Sequence, residues 1–359
     1  MPGLASTENI CEVYQLYVFD WVHGNLLHVS LIILLCPRGV CVVVEDSRPR
    51  LSPHSLSRRS RIFTKQQLYI SSASSPLLEL YVNSTQQRNM AKTVLITGCS
   101  SGIGHALARA FNAKDFKVYA TARKTSSIED LAALGIETLP LEATSKESVD
   151  VLYEEVFRRT GGKLDYLVNN AGRGYTVPAL EVEMDEIERT FAVNVFAVMR
   201  MCKTFAPLLI QAKGTVVQIG SLAGEMPYVF GSVYCATKAA LHRYTETLRL
   251  ELEPFDVRVV NVVTGGVKSL IARTTRTLSK DSVYLPIEAD YQARLTHSQS
   301  LGMDTDKYAR SVVAQLTGWR KRKTIWEGSR SWLVWWLTGY MPKFVIVCHV
   351  RLLRIIVLR

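Results

Sequence analysis

Thr93-Val94-Leu95-Ile96-Thr97-Gly98-Cys99-Ser100-Ser101-Gly102-Ile103-Gly104 is the stretch whose reading decides the fold. Its short apolar run, rich in β-branched residues, predicts a buried strand over 93 to 97. The glycines that follow permit a tight turn, and an amphipathic helical pattern begins at 102. A strand, a glycine turn and a helix N-terminus together make a place for a pyrophosphate, because backbone N–H groups and the helix dipole both favour negative charge there. The loop of Gly98, Ser100, Ser101, Gly102, Ile103 and Gly104 is therefore expected to hold a dinucleotide.

Working outward, short apolar runs alternate with amphipathic windows down the chain. Strands are predicted over 93 to 97, 116 to 121, 136 to 141, 164 to 169, 214 to 220, 256 to 263 and 323 to 326. Helices are predicted over 102 to 112, 146 to 160, 184 to 211 and 233 to 253. Seven strands with intervening crossovers imply an α/β, Rossmann-type, doubly wound parallel sheet. The expectation is one domain over 90 to 326, with extensions at both ends.

The end of the second strand of that domain decides the cofactor. A site for NAD places an acid there to accept from the ribose hydroxyls, whereas a 2′-phosphate requires cations and no acid. The chain reads Thr121-Ala122-Arg123-Lys124, with no acid before Glu129. Arg123 offers a planar fork and Lys124 a point charge, so NADP(H) is expected.

Tyr234 and Lys238 are four apart in a helical window and share one face, and Ser221 lies thirteen residues before the tyrosine at a strand end. A phenol with an ordinary pKa near 10 needs a cation beside it to work as an acid or base at neutral pH, which is the part read for Lys238. Ser221 is read as holding the substrate oxygen while Tyr234 gives or takes its proton.

With these motifs the sequence resembles the short-chain dehydrogenase/reductase family from residue 92 to about 326. The family's glycine motif corresponds to Thr97, Gly98, Gly102, Ile103 and Gly104, and its Asn-Asn-Ala-Gly motif to Asn169-Asn170-Ala171-Gly172. The resemblance implies Asn194, Ser221, Tyr234 and Lys238 as the catalytic set, with Asn194 holding a water in the proton relay. It also implies Asn170, Tyr234, Lys238 and Val267 at the cofactor. Two departures stand out. Leu141-Glu142-Ala143-Thr144 replaces the usual Leu-Asp-Val-Thr, so Glu142 is the expected adenine contact with one extra methylene. Thr264-Gly265-Gly266 replaces Pro-Gly. Lys213-Gly214-Thr215, Gly220-Ser221-Leu222-Ala223-Gly224 and Thr264-Gly265-Gly266-Val267 look like the NADPH-dependent 1-acyldihydroxyacetone-phosphate reductase subgroup. That likeness implies a hydrophobic ketone or secondary alcohol as substrate, and a cytosol-facing membrane such as endoplasmic reticulum or lipid droplet as location. Tailoring of a terpenoid or polyketide is the enzymatic alternative, and an NADP(H)-binding membrane-tethered sensor the non-enzymatic one. The filled catalytic set argues against the sensor.

Charge and composition bound the remainder. The net charge of +11 is concentrated near the ends; from Trp319 to Arg359 nine Lys or Arg face one acid, Glu327. No nucleic-acid module accompanies this charge, so nucleic acid is not an expected partner. Seven cysteines without a Cys-x-x-Cys pair support neither a disulfide framework nor a metal site. Residues 1 to 89 read as a leader outside the family pattern, disordered or weakly membrane-associated; its apolar stretch from Trp21 to Val44 is broken by His23, His28 and Pro37-Arg38-Gly39. Residues 327 to 359 read as a hydrophobic basic tail that attaches to a membrane surface, packs on the domain or closes a homodimer. A cytoplasmic location is the alternative to membrane attachment.

Overall fold

The computed structural model describes residues 12–22, 25–36, 39–46, 91–269, 271 and 276–341, the first three segments and 296–301 by backbone alone. Near the N-terminus β1 (Glu12–Val22), β2 (Asn25–Cys36) and β3 (Gly39–Asp46) form an antiparallel three-stranded sheet. Its registers run from Glu12 opposite Leu35 to Val22 opposite Asn25, and from Val29 opposite Asp46 to Cys36 opposite Gly39. The leader reading foresaw no strands here. The three strands are rich in Val, Ile, Leu and aromatic residues, and Gly39 opens β3 opposite Cys36. This sheet belongs to a compact unit of its own.

The second unit holds the expected seven-stranded sheet. Its strands are β4 (Thr93–Ile96), β5 (Lys117–Ala122), β6 (Glu137–Pro140), β7 (Tyr166–Asn169), β8 (Thr215–Ile219), β9 (Arg258–Thr264) and β10 (Thr324–Glu327). All pairings are parallel, in the order β10-β9-β8-β7-β4-β5-β6. Consecutive side chains on a strand point to opposite faces, and the core divides accordingly. Val94, Ile96, Val168, Val217 and Val262 face α1 (Gly102–Asn112) and α7 (Thr305–Thr317). Leu95, Leu167, Val216 and Val259 face α2 (Lys146–Thr160), α4 (Ala197–Ala212) and α5 (Ser232–Leu252). Both faces are covered, which is why the strands read as continuous apolar runs.

The window 184 to 211, expected as one helix, is α3 (Met184–Phe191), a π-helical turn over Ala192–Phe196, and α4. Met184–Ala212 is long and apolar enough to cross a membrane, with half of its apolar window buried. Here it packs against the sheet through Met201, Cys202, Phe205 and Leu209, as a core helix does. Helix α6 (Glu288–Leu301), α7 and α8 (Ser331–Tyr340) complete the unit. The strand order reverses between β4 and β7. That switch point opens a crevice at the carboxyl ends of the strands, where an open α/β sheet binds its ligand.

Candidate active site

The crevice is a cleft of about 840 Å³. Gly98, Ser100, Ser101, Gly102, Ile103, Arg123, Glu142, Asn170, Ser221, Tyr234, Lys238 and Val267 all line it, so twelve of the sequence-expected residues converge on one space. Gly104, Lys124 and Asn194 do not line it.

The glycine loop is built for close approach. Gly98 has φ +73°, and a Cβ on it would lie 2.8 Å from Ala171 Cα. A Cβ on Gly104 would lie 2.3 Å from Asn170 Nδ2, so Gly104 lets the loop close rather than touching a ligand. Asn170 braces the loop, donating from Nδ2 to Thr97 O at 2.9 Å and Gly98 O at 3.0 Å. Thr97 Oγ1 returns the tie by accepting from the Asn170 and Ala171 N–H groups, each at 3.0 Å. Ser101 caps α1 without a side-chain hydrogen bond, and the first turn carries no acid. Its N–H groups therefore face the cleft unclaimed by a capping side chain, which fits a bound pyrophosphate.

At the end of β5, Arg123 is exposed on the cleft wall, and no carboxylate among the described residues pairs with it. Lys124 points outside the cleft lining, so Arg123 carries the fit to a 2′-phosphate. Glu142 turns its Oε1 back to accept from Thr144 N at 3.2 Å and Thr144 Oγ1 at 2.7 Å. Its carboxylate is thus partly occupied in shaping its own loop.

The side chains expected to be catalytic come from the end of β8, from α5 and from the π-helical turn. Ser221 stands two residues past the end of β8. Its Oγ accepts from Ala223 N at 3.2 Å, so its own O–H is the group that can donate into the cleft. It hydrogen-bonds the Tyr234 phenol and pulls that pKa down, but burial dominates and pushes it up to about 12. Tyr234 therefore keeps its proton at neutral pH and stands ready as an acid. Lys238 is buried, and burial pushes its amine down to about 8. Its Nζ donates to Ile219 O at 2.8 Å and sits 5.9 Å from the Tyr234 ring centroid. The lysine is thus tied to the strand end beside the phenol.

Asn194 is buried behind the cleft. Its Oδ1 accepts from Arg173 N at 2.8 Å, and its Nδ2 donates to Arg173 O at 3.0 Å and Thr237 Oγ1 at 3.1 Å. The π turn supplies the extra residue that aims this amide inward. Three further groups carry no motif that would have exposed them. His242 Nε2 accepts from Ser221 N at 3.2 Å while Nδ1 meets Glu225 Oε1 at 2.8 Å, which assigns the proton to Nδ1. Tyr228 and Arg294 line the cleft near Tyr234.

A free helix N-terminus, a cation at an acid-free strand end and a Ser-Tyr-Lys cluster in one cleft define a nicotinamide-dependent oxidoreductase site. Comparison with known proteins agrees. The family model for short chain dehydrogenase matches residues 92–279. A short-chain dehydrogenase of Penicillium ochrochloron, ptmH, is 42% identical over 257 residues, covering 71% of this chain and 94% of that protein. An NADPH-dependent 1-acyldihydroxyacetone phosphate reductase of Schizosaccharomyces pombe is 37% identical over 263 residues, covering 70% and 87%. A crystal structure of a short-chain dehydrogenase from Streptomyces avermitilis superposes with a TM-score of 0.63 at 29% identity, covering 74% of this chain and 94% of that one. The chain belongs to the short-chain dehydrogenase family, and it is an oxidoreductase acting on CH–OH and C=O groups.

Proposed function

We propose that the protein is an NADP(H)-dependent reductase of a ketone on a lipid-like molecule, with 1-acyldihydroxyacetone phosphate as the leading substrate. The observation that carries the cofactor is Arg123 unpaired on the cleft wall where an NAD site would place an acid. The relative from Schizosaccharomyces pombe, named for NADPH and for that substrate, supports both parts of the reading. Held by the glycine loop and Arg123, NADPH would supply the hydride for the carbonyl carbon. Tyr234 gives its phenolic proton to the oxygen as negative charge develops there, and the Ser221 O–H, paired with the Tyr234 phenol before substrate arrives, donates to the same oxygen. Lys238, through Ile219 O, keeps the β8 end and the phenol in register. Tailoring of a terpenoid or polyketide uses the same chemistry and differs only in the substrate. Steady-state NADPH oxidation with 1-acyldihydroxyacetone phosphate, a terpenoid ketone and a polyketide ketone tests the proposal. The acylated phosphate should give the highest kcat/KM, and a clear preference for a neutral terpenoid or polyketide would replace the lipid reading.

The reading extends to location at a cytosol-facing membrane. Helix α8 supports it: Ser331, Val334 and Leu337 pack inward, while Trp332, Trp335, Trp336 and Tyr340 stand exposed at 70%, 47%, 42% and 66%. Aromatic residues of this kind favour the interface of a bilayer, and Arg320, Lys321, Arg322 and Lys323 lie just before them in the chain.

A further inference from the structure

Arg294 is a half-buried cation in the cleft that no acid among the described residues pairs with. It projects from α6 into the cleft lining beside Tyr228 and Tyr234, with its guanidinium 3.6 Å from the Tyr228 ring centroid. Its Nε is buried and has no hydrogen-bond partner. Burial pushes its pKa below the usual arginine range, and the groups opposing that shift are two phenols and a thiol, Tyr228, Tyr234 and Cys235. In the sequence, residues 270–275 and 296–301 contain no Asp or Glu. Of the other cations lining the cleft, Arg123 is exposed and Lys238 is tied to Ile219 O, while two arginines have a carboxylate. Arg173 and Arg189 both bind Glu186, and Arg276 lies 3.7 Å from the same carboxylate.

Desolvating a guanidinium without a carboxylate is costly, and stacking on one phenol offsets only part of that cost. A protein keeps such a group where a ligand completes it. The planar fork aims two parallel donors, a match for a phosphate or carboxylate and not for a neutral carbonyl. We infer that Arg294 is a specificity-determining residue that binds an anionic group, phosphate or carboxylate, carried by the substrate close to its reacting ketone. The inference rests on the ketone-reductase reading of the cleft and narrows the substrate to an anionic ketone.

The test compares the full chain with Arg294→Gln and Arg294→Lys on three ketones: palmitoyl-dihydroxyacetone phosphate, the same molecule without its phosphate, and a long-chain 2-keto acid. Arg294→Gln should lower kcat/KM for an anionic ketone about 10- to 100-fold more than for the neutral one, chiefly through KM, the usual worth of a charged hydrogen-bonded pair. Arg294→Lys should fall between. A larger loss on the phosphate identifies a phosphate ester as the partner, and a larger loss on the keto acid a carboxylate. Calorimetric binding of hexadecyl phosphate to the wild type and to Arg294→Gln reads the anion site without turnover. Retained binding with no ketone reduced would sink the reductase reading and leave the anion site standing. Equal losses on all three ketones with a shifted pH profile would show that Arg294 acts only on the Tyr234 proton, and would overturn the inference. So would a wild type that prefers the neutral ketone and does not bind hexadecyl phosphate.

Discussion

Tyr234 and Lys238 are held in opposite states by the same burial. The phenol is pushed up to about 12 and keeps its proton, while the amine is pushed down to about 8 and partly sheds it at mildly alkaline pH. Replacing Tyr234 by Phe removes only the proton donor. Turnover should fall by about 10²- to 10⁴-fold with the fold and NADPH binding retained, read by steady-state kinetics and fluorescence titration. Near-normal turnover would remove Tyr234 from the chemistry. Lys238 carries a stability signature as well. Its folded pKa of about 8 lies below the 10.5 of the unfolded chain, so the unfolded state binds more protons between those values. Stability therefore rises with pH across that window, and the full cost of the buried charge is present below about pH 8. Lys238→Met should raise the melting temperature of the cofactor-free protein at pH 7, offset in part by the lost bond to Ile219 O, and abolish turnover. Calorimetry at pH 7 and pH 10 should show that gain shrinking; a gain independent of pH would mean that the buried charge is not its source.

At the scale of elements, the end of β5 sets the cofactor and the chain announces it openly. Arg123→Ala with Ala122→Asp removes the cation and adds the ribose-binding acid. NADPH KM should rise and NADH use improve, measured as the ratio of the two kcat/KM values. A wild type that already prefers NADH would show the strand end was misread. Such features are legible because strand and loop chemistry is local. Strands β4 to β10 lie within two or three residues of their expected places, since apolar runs bounded by turn residues have few other uses. The glycine loop was legible for the same reason: positive φ at Gly98 and the closing contact at Gly104 demand glycine. The π turn was not legible, because one extra residue in a helix leaves the apolar period almost unchanged. Nor was His242, whose importance comes from Ser221 and Glu225 arriving from 21 and 17 residues away. Arg294 lies in the weakly patterned segment after β9, where side chains answer to the cleft rather than to a periodic face.

At the scale of the whole molecule, the question is what the exposed aromatic face of α8 meets. The sequence suggested a tail that either packs on the domain or enters a membrane surface, and α8 combines features of both. Ser331 ties back to Gly328 O at 2.8 Å, Val334 and Leu337 are buried, and Ser329 bridges Gly266 at the cleft floor. The inner face is therefore part of the domain, and ending the chain at Gly328 would strip packed residues along with the exposed ones. Substituting only the outer face avoids that confusion. Full-length protein should co-sediment with vesicles containing anionic lipid, and Trp332→Ser, Trp335→Ser and Trp336→Ser together should release it while leaving the melting temperature nearly unchanged. Neutralising Arg320, Lys321, Arg322 and Lys323 with Gln should weaken attachment most at low salt, because screening already suppresses that attraction at high salt. Aromatic burial in the interface should survive salt, so detergent should release the wild type more completely than 1 M NaCl, the high-salt end of the screening range. Recovery of the wild type in the soluble fraction as a dimer that the three Trp substitutions dissociate would assign the same face to a second copy of the chain and take the membrane out of the account.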